Sequence, residues 1–145
     1  MVTSDERDKS EDKMILVVDD QQGVRSLLQI IFQEAGYKVM MASNGLQAVD
    51  IVEKYHPPIV LMDVRMPGLD GFQSMLRMVK VSPYIKVILM TAYTDESLVQ
   101  RALHEGAVDC LTKPFDVYIV SERVEKLWQS ILEERANREK DKTSA

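Results

Sequence analysis

Short apolar runs recur at five places along the chain and alternate with longer amphipathic stretches. The runs lie at 14–18, 37–41, 59–62, 85–90 and 108–111. Continuous apolar runs of this length are typical of strands that are buried on both faces, as in a parallel sheet. The pattern therefore predicts five strands. The second and the fifth are less purely apolar and are expected nearer the sheet edges.

The stretches between these runs show the apolar spacing of helices. The clearest stripe consists of Val24, Leu27, Leu28, Ile31, Phe32 and Ala35. Similar stripes begin at Leu46, Phe72 and Leu98, and a longer one extends from Val117 to Ile131. Residues at these spacings share one face of a helix, so a helix is predicted after each strand.

Strands that alternate with helices indicate an α/β fold with a parallel sheet and helices on both faces. Right-handed crossovers leave few possible strand orders. The doubly wound, flavodoxin-like order 2-1-3-4-5 suits five short strands, and its ligand crevice lies at the carboxyl ends of strands 1 and 3. The same pattern divides the chain into a flexible N-terminal segment at 1–13, one domain at 14–132 and a charged C-terminal extension at 133–145, which is expected to fray.

Composition narrows the function classes. The 145 residues include 46% apolar residues, carry a net charge of −5 and contain a single cysteine, Cys110. One cysteine excludes an intrachain disulfide framework, and no apolar run is long enough for a membrane span. The first residues lack the apolar core of a secretory signal. We therefore expect a cytoplasmic protein without membrane contact, and the acidic balance argues against nucleic-acid binding.

Three carboxylates follow the two strands that border the predicted crevice. Asp19 and Asp20 come directly after strand 1, and Asp63 follows strand 3. Carboxylates that gather in this way repel one another unless a cation lies among them, and hard oxygen ligands favour Mg²⁺, with Mn²⁺ as the alternative. Taken singly, Asp20 is also interpretable as a helix N-cap and Asp63 as a turn residue.

Two further polar side chains are predicted at the same rim. Thr91 ends strand 4 and Lys113 follows strand 5. A hydroxyl and an ammonium can both contact phosphoryl oxygens, although a strand terminus and a solvated lysine are the simpler interpretations. A cis peptide bond before Pro114 would turn the lysine over the crevice. Together these groups can hold a divalent cation and a phosphoryl group, with Asp63 as the nucleophile that forms an aspartyl phosphate.

Four separated segments together resemble the signature of bacterial response regulator receiver domains. They are Val17 to Asp20, Leu61 to Gly71, Met90 to Tyr93 and Leu111 to Phe115, and the resemblance spans about 13–132. Further matches, in 19–25 and 42–48, resemble the single-domain regulators of the Bacillus-type sporulation phosphorelay. One position departs from the commonest receiver pattern, since Cys110 stands where most receivers carry an aromatic residue. We expect Cys110 to be a small buried apolar residue.

The resemblance implies roles for these residues. Asp20, Asp63 and the carbonyl of Arg65 would bind Mg²⁺ directly, and Asp19 would act partly through water. Thr91 and Lys113 would contact the phosphoryl oxygens. A sensor histidine kinase would donate the phosphoryl group to Asp63, a histidine phosphotransferase would receive it, and an aspartyl-phosphate phosphatase is a further candidate partner.

The 13 residues after Leu132 are too few for an output domain, so the expected target is another protein. We hypothesise that a helical, histidine-bearing partner docks beside the acidic residues. The docking residues would be Gln21, Gly23, Val24, Leu27, Pro114 and Phe115. The alternative is that Val24 and Leu27 belong to the core, because helix stripes usually face the sheet.

Rival functions differ in the residues that they require. A haloacid-dehalogenase-like phosphohydrolase needs a second Asp two residues after the nucleophile, where this chain has Arg65. A degenerate scaffold receiver lacks an acidic or lysine residue that is present here. A flavodoxin-like redox protein would suffer repulsion between its flavin phosphate and Asp19 and Asp20. The nearest alternative is a stand-alone receiver that binds partners when phosphorylated, without onward transfer.

Overall fold

The computed structural model describes residues 13–92 and 96–143. The strands are β1 (Met14–Val18), β2 (Lys38–Ala42), β3 (Ile59–Asp63), β4 (Lys86–Thr91) and β5 (Asp109–Thr112). The helices are α1 (Gln22–Glu34), α2 (Gly45–Tyr55), α3 (Gly71–Val81), α4 (Glu96–Glu105) and α5 (Val117–Thr143). Each strand is followed by one helix, as the apolar pattern predicts.

The five strands form one parallel sheet in the order β2-β1-β3-β4-β5. The predicted doubly wound fold with order 2-1-3-4-5 is therefore confirmed. β1 and β3 are neighbours near the middle of the sheet, with Val18 opposite Met62. The residues that follow these two strands consequently emerge side by side at the carboxyl edge.

The core explains why the inner strands are almost wholly apolar. Alternate residues of β1, β3 and β4 join side chains of α2, α3 and α4 in one buried cluster. Helix α1 packs on β1 and β2 and buries Leu28 and Phe32, which lie outside that cluster. Strands covered on both faces need apolar residues at every position.

Side-chain caps begin α2, α3 and α5, but not α1. At α5, Asp116 Oδ1 accepts a hydrogen bond from Tyr118 N at 2.8 Å. The Oδ1 atom of Asn44 accepts a hydrogen bond from Gln47 N at 2.9 Å, and that of Asp70 accepts one from Gln73 N at 2.9 Å. At α1 the N-cap position is Gln21, which makes no side-chain cap. The alternative interpretation of Asp20 as an N-cap is therefore wrong.

Gly71 begins α3 against the end of β3, in a space that no side chain can share. A Cβ atom there would lie 2.7 Å from the Asp63 carbonyl oxygen and 2.8 Å from the Val64 Cα. Because both neighbours are backbone, we expect Gly71→Ala to lower the free energy of unfolding by about 1–3 kcal/mol, measured by urea denaturation. The control is Gly23→Ala in α1, where a Cβ meets nothing within 4 Å. A loss as large in the control would contradict this steric explanation.

The chain forms two compact units, which meet in sequence between Phe115 and Asp116. The second unit is α5. Within it, Lys126 Nζ lies 3.1 Å from Glu122 Oε1, and the Arg135 guanidinium lies 5.5 Å from the centre of the Trp128 ring. Residues 133–143, expected to fray, continue this helix. Across the described residues, no helix combines the length and apolar composition needed to cross a membrane.

Candidate functional site

The predicted carboxylates come together at the carboxyl edge of the sheet. Each of Asp19, Asp20 and Asp63 offers an oxygen, and these three oxygens lie within 4.8 Å of one another. Asp19 is fully buried, Asp63 is nearly so and Asp20 is exposed. Three oxygen ligands, one of them open to solvent, fit a hard divalent cation such as Mg²⁺, which retains several waters when bound.

Hydrogen bonds from nearby backbone N–H groups orient two of these carboxylates. Gln21 N donates to Asp19 Oδ1 at 2.9 Å, and Arg65 N donates to Asp63 Oδ1 at 3.1 Å. Asp63 is the last residue of β3 and not a turn residue, although its hydrogen bond with Arg65 N closes a short turn directly after the strand. The other carboxylate oxygen of each residue remains directed to the site.

Lys113 joins the two buried carboxylates. Its Nζ lies 2.5 Å from Asp19 Oδ2 and 3.1 Å from Asp63 Oδ2, with the lysine side chain 15% exposed. The lysine backbone N donates to the Thr91 carbonyl at 2.6 Å, and the Lys113–Pro114 peptide bond is cis. A lysine that follows the edge strand thereby reaches the loop after β1 and the last residue of β3.

Thr91 is fully buried at the end of β4, beside β3. In the register of these strands Asp63 stands opposite Met90, so Thr91 lies one residue further toward the carboxyl edge. The structure therefore places Thr91 at the same rim as Asp63 and Lys113. Its role toward a phosphoryl group stays a prediction.

Burial and the neighbouring opposite charges shift the pKa values of Asp63 and Lys113 in opposite directions. Burial raises the pKa of Asp63, although Lys113 and the Arg65 N–H lower it in part. Burial alone would lower the pKa of Lys113. The hydrogen bond to Asp19 and the charges of Asp63 and Asp19 outweigh the effect of burial, so the pKa of the ammonium is raised. The lysine is consequently charged at neutral pH.

The raised pKa of Asp63 predicts how stability depends on pH. The folded chain binds this proton more tightly than the unfolded chain, so ionised Asp63 costs stability above its folded pKa. That cost disappears as pH falls toward the ordinary value of 3.8. We therefore expect Asp63→Asn to stabilise the protein at pH 7 without divalent cations, with a gain that shrinks on acidification. Urea unfolding across pH measures this. A gain that instead grows toward low pH would contradict it.

Sequence reasoning missed the part played by Arg25. Its Nη1 donates to the backbone carbonyl of Asp19 at 2.7 Å, and so anchors the loop that carries two of the three carboxylates. The signal was present, because an arginine in the first turns of α1 stands close to the end of β1. However, the sequence alone does not identify which backbone carbonyl a single arginine contacts.

The predicted docking residues lie on both sides of the acidic site. Gln21, Gly23 and Pro114 are exposed, whereas Val24 and Phe115 are half-buried. Leu27 is 46% exposed, so the alternative that it is ordinary core is wrong. Docking itself stays a prediction.

Cys110 is half-buried in β5 and packs against the core cluster. Burial, with a smaller contribution from the Asp109 charge, raises the pKa of its thiol. The interpretation as a small packed apolar residue therefore fits, although the side chain is not fully buried. Tyr93 of the third signature segment lies outside the described residues.

The fold and the acidic edge together define the class of protein. Residues 15–125 match the family of the response regulator receiver domain, and the chain belongs to this family. The predicted membership is thereby confirmed.

Similarity to individual proteins gives more detail than the family match alone. The chain is 44% identical over 112 residues to sporulation initiation phosphotransferase F of Bacillus subtilis (strain 168), covering 77% of this chain and 90% of that relative. It is 41% identical over 103 residues to regulatory protein AtoC of Escherichia coli (strain K12), covering 71% of this chain but 22% of the relative. Its fold matches that of a CheY-like response regulator receiver domain protein from Methanospirillum hungatei JF-1, with a TM-score of 0.80 and 24% identity over 84% of this chain and 98% of that one.

Proposed function

We propose that this receiver takes a phosphoryl group from a sensor histidine kinase onto Asp63 and passes it to a histidine phosphotransferase, as in a sporulation-type phosphorelay. The observation that carries the proposal is the ammonium of Lys113, held 3.1 Å from Asp63 Oδ2 beside the clustered carboxylates. The similarity to sporulation initiation phosphotransferase F over 90% of that protein's length supports the relay role. A cytoplasmic location is part of the proposal.

The acidic cluster is the proposed Mg²⁺ site, which Mn²⁺ can also fill. Asp20, Asp63 and the carbonyl of Arg65 would bind the ion directly, and Asp19 would act partly through water. A bound ion supplies positive charge that offsets the charge of the carboxylates and the phosphoryl group. Without such an ion, the three clustered carboxylates repel one another, and Lys113 offsets part of their charge.

In the proposed transfer, an oxygen of Asp63 attacks the phosphorus of a phosphohistidine. The new O–P bond forms while the P–N bond breaks, and its electron pair stays on the imidazole nitrogen. Lys113 and the Thr91 hydroxyl contact phosphoryl oxygens, whose charge they offset. Transfer to the phosphotransferase is the same exchange in reverse, with a partner imidazole as the nucleophile.

Transfer in both directions tests the relay. The labelled aspartyl phosphate protein is separated from its donor and mixed with a histidine phosphotransferase from the same cell. We expect the label to move to the phosphotransferase within seconds to minutes and to return when the phosphotransferase is labelled first. If only phosphate is released to water, while a phosphorylation-dependent partner still binds, the stand-alone receiver without onward transfer is the correct function.

The lifetime of the aspartyl phosphate gives a further prediction. We propose that Arg65, exposed beside Asp63, and Tyr93, which lies outside the described residues, control how fast water hydrolyses the aspartyl phosphate. Arg65→Ala and Tyr93→Ala are each expected to change the half-life by about threefold or more, about 0.7 kcal/mol in barrier. The measurement is the decay of radiolabel in purified protein. Arg77→Ala, exposed on α3, is the control, and half-lives that match it in both variants would refute these roles.

A further inference from the structure

A groove between α3 and α4 adjoins the proposed phosphotransfer site and shares Arg65 with it. At one end it opens into a cavity of about 500 Å³, between the loop after β3 and α4. Met66 and the buried Phe72 line this cavity from one side, and Leu98 and Arg101 of α4 line it from the other. We call this surface, together with Leu76 and Val79, the α3–α4 groove.

The α3 wall of the groove is an apolar stripe that no element of the described residues fully covers. Phe72, Leu76 and Val79 are spaced by four and three residues and so share one flank of the helix. Phe72 faces the cavity, yet Leu76 is 51% exposed and Val79 is 39% exposed. The opposite flank of α3 packs closely against α2, where Ser74 meets Gly45. The stripe therefore faces α4 and solvent.

Cations border this stripe in a chain whose net charge is −5. Helix α3 contains Arg77 and Lys80 and no acidic residue, and both cations are exposed. At the cavity end stand Arg65 and Arg101.

Two acidic groups at this surface have local partners. Asp70 Oδ1 caps α3 through Gln73 N at 2.9 Å, and Glu105 Oε1 accepts from Arg101 Nε at 3.1 Å. The Arg101 guanidinium also lies 4.0 Å from the centre of the Phe72 ring, where it forms part of the cavity wall. Among the described residues of α3, α4 and the cavity lining, four cations stand against the three acids Asp70, Glu96 and Glu105, which leaves one excess positive charge.

We propose that the α3–α4 groove docks an acidic amphipathic helix of a partner protein. An apolar stripe bordered by cations fits a helix that presents large apolar residues flanked by carboxylates. The stripe from Phe72 to Val79 extends about 10 Å along α3, beyond the cavity that a small molecule would fill. A second copy of this chain, paired symmetrically through the groove, would place cation against cation.

A designed peptide tests the docking. The probe is a fluorescein-labelled helix of about four turns, with leucines spaced by three and four residues and glutamates on either side of them. The control peptides are a shuffled sequence of the same composition and a version with lysine in place of glutamate. Fluorescence anisotropy with the full chain is expected to show binding of the glutamate peptide at least about tenfold tighter than either control, weakening as salt rises.

Matched variants locate the binding. Leu76→Glu and Arg101→Gln are each expected to weaken the peptide by about tenfold, whereas Leu46→Glu, at an apolar position 60% exposed on α2, is expected to change it less than about twofold. Circular dichroism identifies any variant that fails to fold. If Leu76→Glu does not fold, the effect of Arg101→Gln on peptide binding tests the location of the docking surface.

Three results would overturn the docking proposal. The first is equal binding of the shuffled or lysine peptide, and the second is an effect of Leu46→Glu as large as that of Leu76→Glu. The third is binding of anilinonaphthalene sulfonate in the cavity, lost in Arg101→Gln, without any binding of the glutamate peptide. This last outcome would assign the cavity to small organic anions.

Discussion

Asp63→Asn is expected to abolish phosphorylation by acetyl phosphate or phosphoramidate in the presence of Mg²⁺. An amide oxygen is a far poorer nucleophile than a carboxylate, so labelling should fall below about a hundredth of the wild-type rate. The neighbouring groups remain in place, because asparagine has nearly the same size and Lys113 still contacts Asp19. The variant therefore separates loss of the nucleophile from loss of the fold.

The label itself identifies the chemistry at Asp63. An aspartyl phosphate is an acyl phosphate, which we expect to be stable in acid and labile in base. Asp50→Asn, at an exposed position on α2, is the matched control and should label normally. Labelling that persists in Asp63→Asn, with the same base lability, would move the acceptor to another carboxylate.

Lys113→Ala is expected to have the second-largest effect. Its ammonium lies 3.1 Å from the acceptor oxygen Asp63 Oδ2, and removal of one such electrostatic contact costs about 10²–10³ in rate. Binding of Mg²⁺ should be retained or tightened, since the carboxylates of Asp19 and Asp63 lose a competing cation. Lys113→Ala is therefore expected to slow phosphorylation while Mg²⁺ binding stays the same or becomes stronger.

Two measurements on Lys113→Ala distinguish charge from damage. The rate of labelling by acetyl phosphate reports the transfer, and calorimetric titration with Mg²⁺ reports the metal site. Lys54→Ala, exposed on α2, controls for loss of a lysine elsewhere. Loss of both Mg²⁺ binding and labelling would mean that Lys113 supports the fold of the site and not the transfer.

The apolar pattern predicted the fold because each strand of this sheet is a distinct apolar run. At β2 and β4 the predicted strand begins one residue too early, because an apolar residue lies in the connection before the strand. Tyr37 precedes β2 and is buried there, with its ring 5.7 Å from that of Phe32. Ile85 is likewise buried just before β4. Such residues extend the apolar run in the sequence without joining the ladder of hydrogen bonds.

The sequence also predicted which polar residues gather, since parallel strands bring their carboxyl ends to one edge. It did not predict how they are paired. The contacts of Lys113 with Asp19 and Asp63 join residues 94 and 50 positions apart, and only the folded sheet specifies such distances. The exposure of Leu76 and Val79 on α3 was not predicted for a related reason. An apolar stripe indicates a helix face, but it does not show whether other elements cover every residue of that face.

The ion pairs of Lys113 have a consequence for the surroundings of the protein. These charges are largely shielded from solvent, with the side chain of Asp19 fully enclosed, and mobile ions weaken such contacts far less than contacts at the surface. Fluctuations in the ionic strength of the cell should therefore alter how quickly charged proteins approach this molecule. They should leave the resting arrangement around Asp63 almost untouched.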